Sequence, residues 1–339
     1  MKTTRSGHEY ASFKVWHAAG ALLAVLLFVI APYASAQTSA AGYPSRPIRF
    51  ILPFPPGGGT DILGRILAQK LSEELGQPVV PENRPGAGGN VGNEAAAKSA
   101  PDGYTIVICT SSIAVSKSLY KKLGYDPEKD LTPIGLVASN AQTLSVHPSM
   151  PARSIKEMVQ LARTHPGKVS FGTGGPGTLN DLIAQLFKSA NRVNVLIVPY
   201  KGITPATLAM IGGHVDAVVI GVASAVPYVK SGKMRALATL APKRAPVLPD
   251  VPTAAEAGYP DLEAVLWYVM MAPAGTPQPV VNRLSRVFAK IVNSPDTQKK
   301  MMAVGAEPMS STPEEFVPFF RKEIARWGKV IREAGATAE

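Results

Sequence analysis

Several things are scarce in this chain of 339 residues, and each scarcity closes a class of function. There is a single cysteine, Cys109. No intrachain disulfide can form, and no cysteine cluster can hold zinc or an iron–sulfur centre. Cys109 sits in "YTIVICTSS", a run that reads as a buried strand, so it is expected to be an inert structural thiol. Only five histidines occur. Of these, His147, His165 and His214 lie beyond residue 36, each in a turn-like context: "SVHPSMP", "THPGK" and "GGHVDA". No H-E-x-x-H and no G-x-S-x-G is present, which leaves no metalloprotease helix and no nucleophile elbow. Runs of one charge are also missing. The net charge is +11, yet the longest basic runs are pairs such as Lys121-Lys122 and Lys299-Lys300. A nucleic-acid stripe is therefore not expected, and the scattered cations serve solubility or attract small anions.

Long apolar runs are missing too. The longest stretch, "AGALLAVLLFVIA" from Ala19 to Ala31, falls short of the roughly 20 residues that span a bilayer. Lys2, Arg5 and Lys14 precede it, and Ala34-Ser35-Ala36 follows with small-residue spacing. This is the pattern of an export signal, expected to occupy 1–36 and to be cut after Ala36. Removal would leave 339 − 36 = 303 residues outside the cytoplasm. No cysteine follows the apolar stretch to accept a lipid.

What the chain has in quantity is glycine, proline and alternating strand and helix patterns, with 30 glycines and 31 prolines. "PIRFILPF" reads as a strand, and "TDILGRILAQKLSEELG" as an amphipathic helix whose apolar face carries Ile62, Ile66, Leu67 and Leu71 and which stops at Gly76. "QPVVPEN" is a second strand, "GGNVGNEAAAKSA" a second helix, and "YTIVICT" a third strand. The pattern returns in "KVSFGTG", "GGPGT" and "LNDLIAQLFKSA", then in "VLIVPYKG", "VDAVVIG" and "MRALATLA" with helices between them. The fold class is α/β with largely parallel strands. Crossings between two lobes are expected near Asn140–Val146 and Asp261–Tyr268. The tail helices, the last opened by Thr312, Glu314 and Glu315, are expected to pack on the first lobe.

Three glycine-rich loops each lead into a helix: "FPPGGGTD", "RPGAGGN" and "GTGGPGTLND". Ligands of open α/β sheets sit beyond the carboxyl ends of the strands. Glycine lets a ligand reach main-chain N–H groups, and a helix start adds unsatisfied amides and a positive dipole end. Such a loop suits an anion, although each alone also reads as a simple tight turn. The spacing is not a Walker A loop, because Arg65 and not Lys follows Gly64. It is not a full dinucleotide fingerprint either. Gly57 and Gly59 fit, Ile62 stands in the third glycine's place, and Glu82 lies where a ribose-binding acid would sit. An exported enzyme of that kind stays as a remote alternative.

With these loops in view, the chain resembles the extracytoplasmic solute-binding receptors of tripartite tricarboxylate transporters, the TctC or Bug proteins. The resemblance lies in "YPSRPIRFILPFPPGGGTD", "LGQPVVPENRPGAGGNVG", "APDGYTI", "LGYDPEKDLTPIGLVA", "VPYKG", "LPDVPTAAEAGYPDLE", "APAGTP" and "STPEEF…EIARWGKVIREAG", in order along nearly the whole chain after the signal. It implies a type II periplasmic-binding-protein fold with two α/β lobes, one formed by 37–143 and 264–339 and the other by 144–263. It also implies a non-enzymatic monomer without cofactor, a small carboxylate ligand, and two membrane partners, one large and one small transporter subunit. A sensor kinase is the alternative partner.

By position, the resemblance places ligand contacts at Phe54, Gly57, Gly58, Thr60 and Asp61 on the first loop. Thr173, Gly174, Gly175, Gly177 and Thr178 follow on the second. Gly86, Ala87, Ser111, Tyr200 and Gly202 line the rest. Asp61 is expected to brace its loop rather than meet an anion. Two positions depart from the family's pattern. Gly174 replaces a common serine and Asp181 stands where histidine is usual, so Asp181 either faces solvent or caps its helix, or else makes the site accept less ligand charge or an amine. Gly221 likewise replaces a polar or acidic residue.

Overall fold

The computed structural model describes residues 42–334. The expected signal segment and its cleavage point lie outside the described residues.

The strands and helices alternate through the first part of the chain. Strand β1 (Ile48–Leu52) leads to helix α1 (Gly59–Leu75), and β2 (Val79–Asn83) to α2 (Asn90–Ala97). Strand β3 (Thr105–Thr110), the short α3 (Ser116–Leu119) and the long β4 (Leu131–Val146) follow. Then come α4 (Ile155–Thr164), β5 (Ser170–Thr173), α5 (Leu179–Asn191), β6 (Leu196–Pro199), α6 (Ile203–Ile211), β7 (Ala217–Gly221), α7 (Val222–Lys230) and β8 (Arg235–Thr239). The chain closes with β9 (Val265–Pro273), α8 (Gln278–Val292), α9 (Pro295–Ala303), the two-residue β10 (Glu307–Pro308) and α10 (Pro313–Ala334).

The strands form one sheet in the order β2-β1-β3-β9-β4-β7-β5-β6, with β8 and β10 also on β4. Parallel pairing joins β2, β1 and β3 on one side and β7, β5 and β6 on the other. The antiparallel strand β4 holds the two sides together. Its first part pairs with β9 as far as Ala141, and its last part pairs with β7 from Gln142 onward. A single strand thus pairs with both α/β halves.

In β1 and β3 successive residues point to opposite faces, and both faces are covered. Phe50, Leu52, Ile106 and Ile108 enter one core, while Ile51, Val107 and Cys109 enter the other. This two-sided burial explains why these strands read as continuous apolar runs. Helix α1 turns Leu63, Leu67, Leu71 and Leu75 inward, whereas Ile62 is 40% exposed. Leu67 and Leu71 are buried as the sequence suggests, while Leu63 and Leu75 take the inward places in addition and Ile66 is only half-buried. Gly64 lies against Leu52, where a Cβ would come within 2.4 Å of Cδ2. Gly76 ends the helix in the left-handed conformation.

The capping box at Thr312 and Glu315 forms, each main-chain amide bonding the other's side chain. The helix it opens does more than pack on the first half. It lies on α5 of the second half as well as on α3 and β4. Glu323 on this helix accepts the indole N–H groups of Trp267 (3.1 Å) and Trp327 (3.3 Å), tying it to β9.

Candidate ligand-binding site at the glycine loops

The first loop leaves β1 through Pro53, Phe54, Pro55 and Pro56 and enters α1 at Gly59, with Gly57 at φ +80°. Asp61 is the third residue of the helix and only 4% exposed. Its carboxylate accepts the Gly57 amide at 2.9 Å, Nδ2 of Asn83 at 2.9 Å, and Nε of Arg65 at 3.0 and 3.1 Å. Asn83 also donates to the Phe54 carbonyl at 3.0 Å. Burial raises the carboxyl's pKa, but Arg65, the Gly57 amide and Asn83 outweigh it and hold it below the ordinary value. Asp61 therefore shapes the loop from behind, as expected. The amides of Gly58, Gly59 and Thr60 find no acceptor among the described residues. They are the free donors this loop presents.

Ser111 directly follows Thr110, the last residue of β3, the strand beside β1, and opens the short 3-10 turn Ser111–Ala114. Its hydroxyl is buried and has no partner among the described residues, and the residue is 1% exposed. A buried orphan hydroxyl is costly unless something fills the bond. Across from Thr110 in the β3–β9 register stands Tyr268, whose phenol is pushed up to about 12 by burial, offset by a hydrogen bond with Thr60.

The loop over residues 86–89 is built from four consecutive positive-φ residues, Gly86, Ala87, Gly88 and Gly89. It lies between the other two loops. A Cβ on Gly89 would sit 3.3 Å from the Phe54 ring, and one on Gly88 would sit 3.3 Å from the Pro176 carbonyl. Tyr120, just past α3, donates to the same carbonyl at 3.3 Å. Groups from both halves of the sheet thus meet around the glycines.

The second loop repeats the design of the first. Asp181 is again the third residue of its helix and accepts the amide of Gly177, four positions earlier, at 3.3 Å. Other donors of this loop are used internally. The Gly174 amide bonds Asn180 Oδ1 (2.8 Å), and the Gly175 amide bonds Thr173 Oγ1 (3.4 Å). The Thr178 hydroxyl lies 2.7 Å from the Gly175 carbonyl and 2.6 Å from Asn180 Oδ1. Thr173 is fully buried and donates to Asp181 at 3.4 Å. The amides of Leu179 and Asn180 remain without acceptors among the described residues. Tyr200 and Gly202 flank this loop, with the Tyr200 amide on the Thr173 carbonyl at 2.9 Å and Gly202 packed beside Gly174. The space at Gly221 is taken by Asn140, whose Oδ1 would lie 2.7 Å from a Cβ there.

Asp181 does not face solvent. It is 7% exposed, no cation pairs with it among the described residues, and burial pushes its carboxyl up to about 6 against the weaker pull of the Gly177 amide and the Thr173 hydroxyl. Residues that the sequence did not single out also matter here. Asn83, Tyr120, Tyr268 and Asn180 fix the loops, and only Asn83, closing a strand beside Arg-Pro-Gly, carried a sequence signal.

Other candidate chemistry is occupied elsewhere. Glu82 is bound by Arg49 and Arg84, and with Arg49 as the chief cause its carboxyl falls to about 2. Cys109 is buried, its thiol donating to Asn93 and its pKa raised by burial. No cluster of metal-ligating side chains occurs among the described residues. A cavity of about 340 Å³ lined by Gly167, Gln185, Lys188 and residues 194–197 lies at the N-terminal ends of β5 and β6. That is the opposite end of these strands from the loops.

Two α/β halves sharing a crossing strand, with glycine loops at the strand ends facing one another, define a two-lobed periplasmic solute-binding protein. The chain belongs to the TctC family, described as "Tripartite tricarboxylate transporter family receptor", which it matches over residues 63–336. Among curated relatives it is 39% identical to Protein BugT of Bordetella pertussis over 93% of this chain and 98% of that one. Among solved structures it is similar to R. palustris Rpa4515 with adipate, with a TM-score of 0.80 and 36% identity, covering 87% of this chain and 99% of that one. The periplasmic binding protein BugD gives a TM-score of 0.80 at 35% identity, over 88% of this chain and 100% of that one. MatC from Rhodopseudomonas palustris with bound malate gives 0.77 at 30%, over 85% of this chain and 100% of that one.

Proposed function

We propose that this protein captures a small carboxylate in the periplasm and presents it to the large and small membrane subunits of a tripartite transporter, working as a monomer without chemistry of its own. One observation carries the reading. Donors without acceptors, the amides of Gly58, Gly59 and Thr60 and the buried hydroxyl of Ser111, gather at the ends of neighbouring strands. Main-chain amides at a helix start neutralise a carboxylate without a buried cation. The adipate and malate held by two relatives are ligands of this class.

The lobes are assigned to 37–143 with 264–339 and to 144–263, supported by the change of partner along β4 between Ala141 and Gln142. Closure of the lobes would bring the second loop onto the ligand's other end. The export signal is assigned to 1–36, with cleavage after Ala36.

The test is a thermal-shift screen of mono-, di- and tricarboxylates, followed by calorimetry on those that raise the melting temperature, since a ligand of the folded state alone stabilises it. Ser111→Ala is the diagnostic variant. Removing an unpaired buried hydroxyl should leave the free protein as stable or about 1 kcal/mol more so, yet weaken carboxylate binding about three- to tenfold. A panel in which no carboxylate shifts the melting temperature would overturn the proposal.

A further inference from the structure

Asp61 and Asp181 hold equivalent places in the two loop–helix units, and their surroundings differ in one respect. Asp61 has the guanidinium of Arg65 and the amide of Asn83 beside it. Asp181 has only two long contacts, Gly177 N–H at 3.3 Å and Thr173 Oγ1 at 3.4 Å. The groups around it are neutral. From α5, Asn180 turns its oxygen to Gly174 and Thr178. From the far side of the cleft, Tyr120 contributes a phenol whose pKa is raised by burial and then by Asp181 itself. No ionised side chain from α5, α10, the 86–89 loop or the 200–202 turn contributes to its titration. The histidines lie elsewhere: the main-chain amide of His147 donates to the Asp216 carbonyl at 2.9 Å, at the opposite end of β5, and its ring meets the Ser149 hydroxyl.

A carboxylate drawn to the free amides of Leu179 and Asn180 would come close to a buried negative charge that no cation among the described residues pairs with. We infer that Asp181 couples ligand capture to a proton: a carboxylate occupying the second loop is held with Asp181 protonated, and binding takes that proton from solvent. The inference rests on the carboxylate reading above. The proton is accommodated without rearrangement. On Oδ1 it reverses the bond to Thr173 Oγ1, so that the carboxyl donates and the hydroxyl accepts, while Oδ2 still accepts the Gly177 amide. The loop keeps its brace in both states, and only its charge changes. Its burial, which already favours the neutral form, works in the same direction.

The experiment is calorimetry of the protein with malate and with adipate at pH 6, 7 and 8, each in two buffers of different ionisation enthalpy. Proton uptake approaching one per ligand is expected near neutral pH, with affinity rising about three- to tenfold per unit as pH falls from 8 to 6. In Asp181→Asn the uptake should vanish and the affinity become flat with pH. If that variant does not fold, Thr173→Val, which removes the hydroxyl donor, should move the uptake profile to higher pH, whereas uptake by a histidine would leave it in place. Binding without uptake, uptake unchanged in Asp181→Asn, or a profile unmoved in Thr173→Val overturns the inference alone. Failure of both acids and the wider carboxylate panel to bind overturns the carboxylate reading and this inference with it.

Discussion

Replacing Asp181 by asparagine should stabilise the free protein clearly more at pH 8 than at pH 4.5. Burial moves this carboxyl from the ordinary 3.8 to about 6. A folded-state pKa above the unfolded value favours the protonated folded form. That contribution is complete below 3.8 and is lost as pH rises through about 6. The loss is 6 − 3.8 = 2.2 units, or about 3 kcal/mol at 1.36 kcal/mol per unit, as an upper bound. Asparagine never ionises and can still accept the Gly177 amide. It forfeits the attraction of an anion for the helix start, about 0.3–1 kcal/mol. A net gain of about 1–2 kcal/mol at pH 8 is expected. Urea unfolding of the two proteins at pH 4.5 and pH 8, without ligand, measures it. A variant less stable than the parent at pH 8, or equally changed at both pH values, would show that Asp181 is not an uncompensated buried charge.

The counterpart on the first loop should behave in the opposite sense. Asp61→Asn removes a carboxylate that binds Gly57, Asn83 and Arg65 and should cost about 1–3 kcal/mol at pH 7. Because its folded pKa is depressed, the parent's advantage is present above 3.8 and fades as pH falls below it, which acid unfolding curves would show. Gly64→Ala gains helix propensity of about 1 kcal/mol but places a Cβ 2.4 Å from Leu52 Cδ2. The clash should win by about 1–2 kcal/mol, and pairing the change with Leu52→Ala should reveal the coupling in a double-mutant cycle. Glu323→Ala orphans the indole N–H groups of Trp267 and Trp327 and should cost about 2–3 kcal/mol in urea unfolding.

Much of the fold was legible because its signals are local. Strands buried on both faces show as unbroken apolar runs, helices as stripes, and their ends as glycine or a capping box, as at Gly76 and Thr312. The stripe on α1 was legible at Leu67 and Leu71, but not that Leu63 rather than Ile62 turns inward, because the two are equally apolar. The loops were visible as glycine clusters, and the bracing role of Asp61 followed from simple charge repulsion. The commitment of Thr173 and Thr178 to their own loop was not visible, since a hydroxyl in a sequence does not show which acceptor it will meet.

By itself, then, the sequence determined the alternating α/β order, the three glycine entries to helices and the family to which the chain belongs, all encoded by neighbours along the chain. Only the tertiary structure decided which amides stay free, that Ser111 is left without a partner, that Asn83 reaches Asp61, and that Asp181 is buried with no ion-pair partner among the described residues. Arg65, one turn after Asp61, is written in the sequence, but the other properties depend on what distant segments bring to the same point.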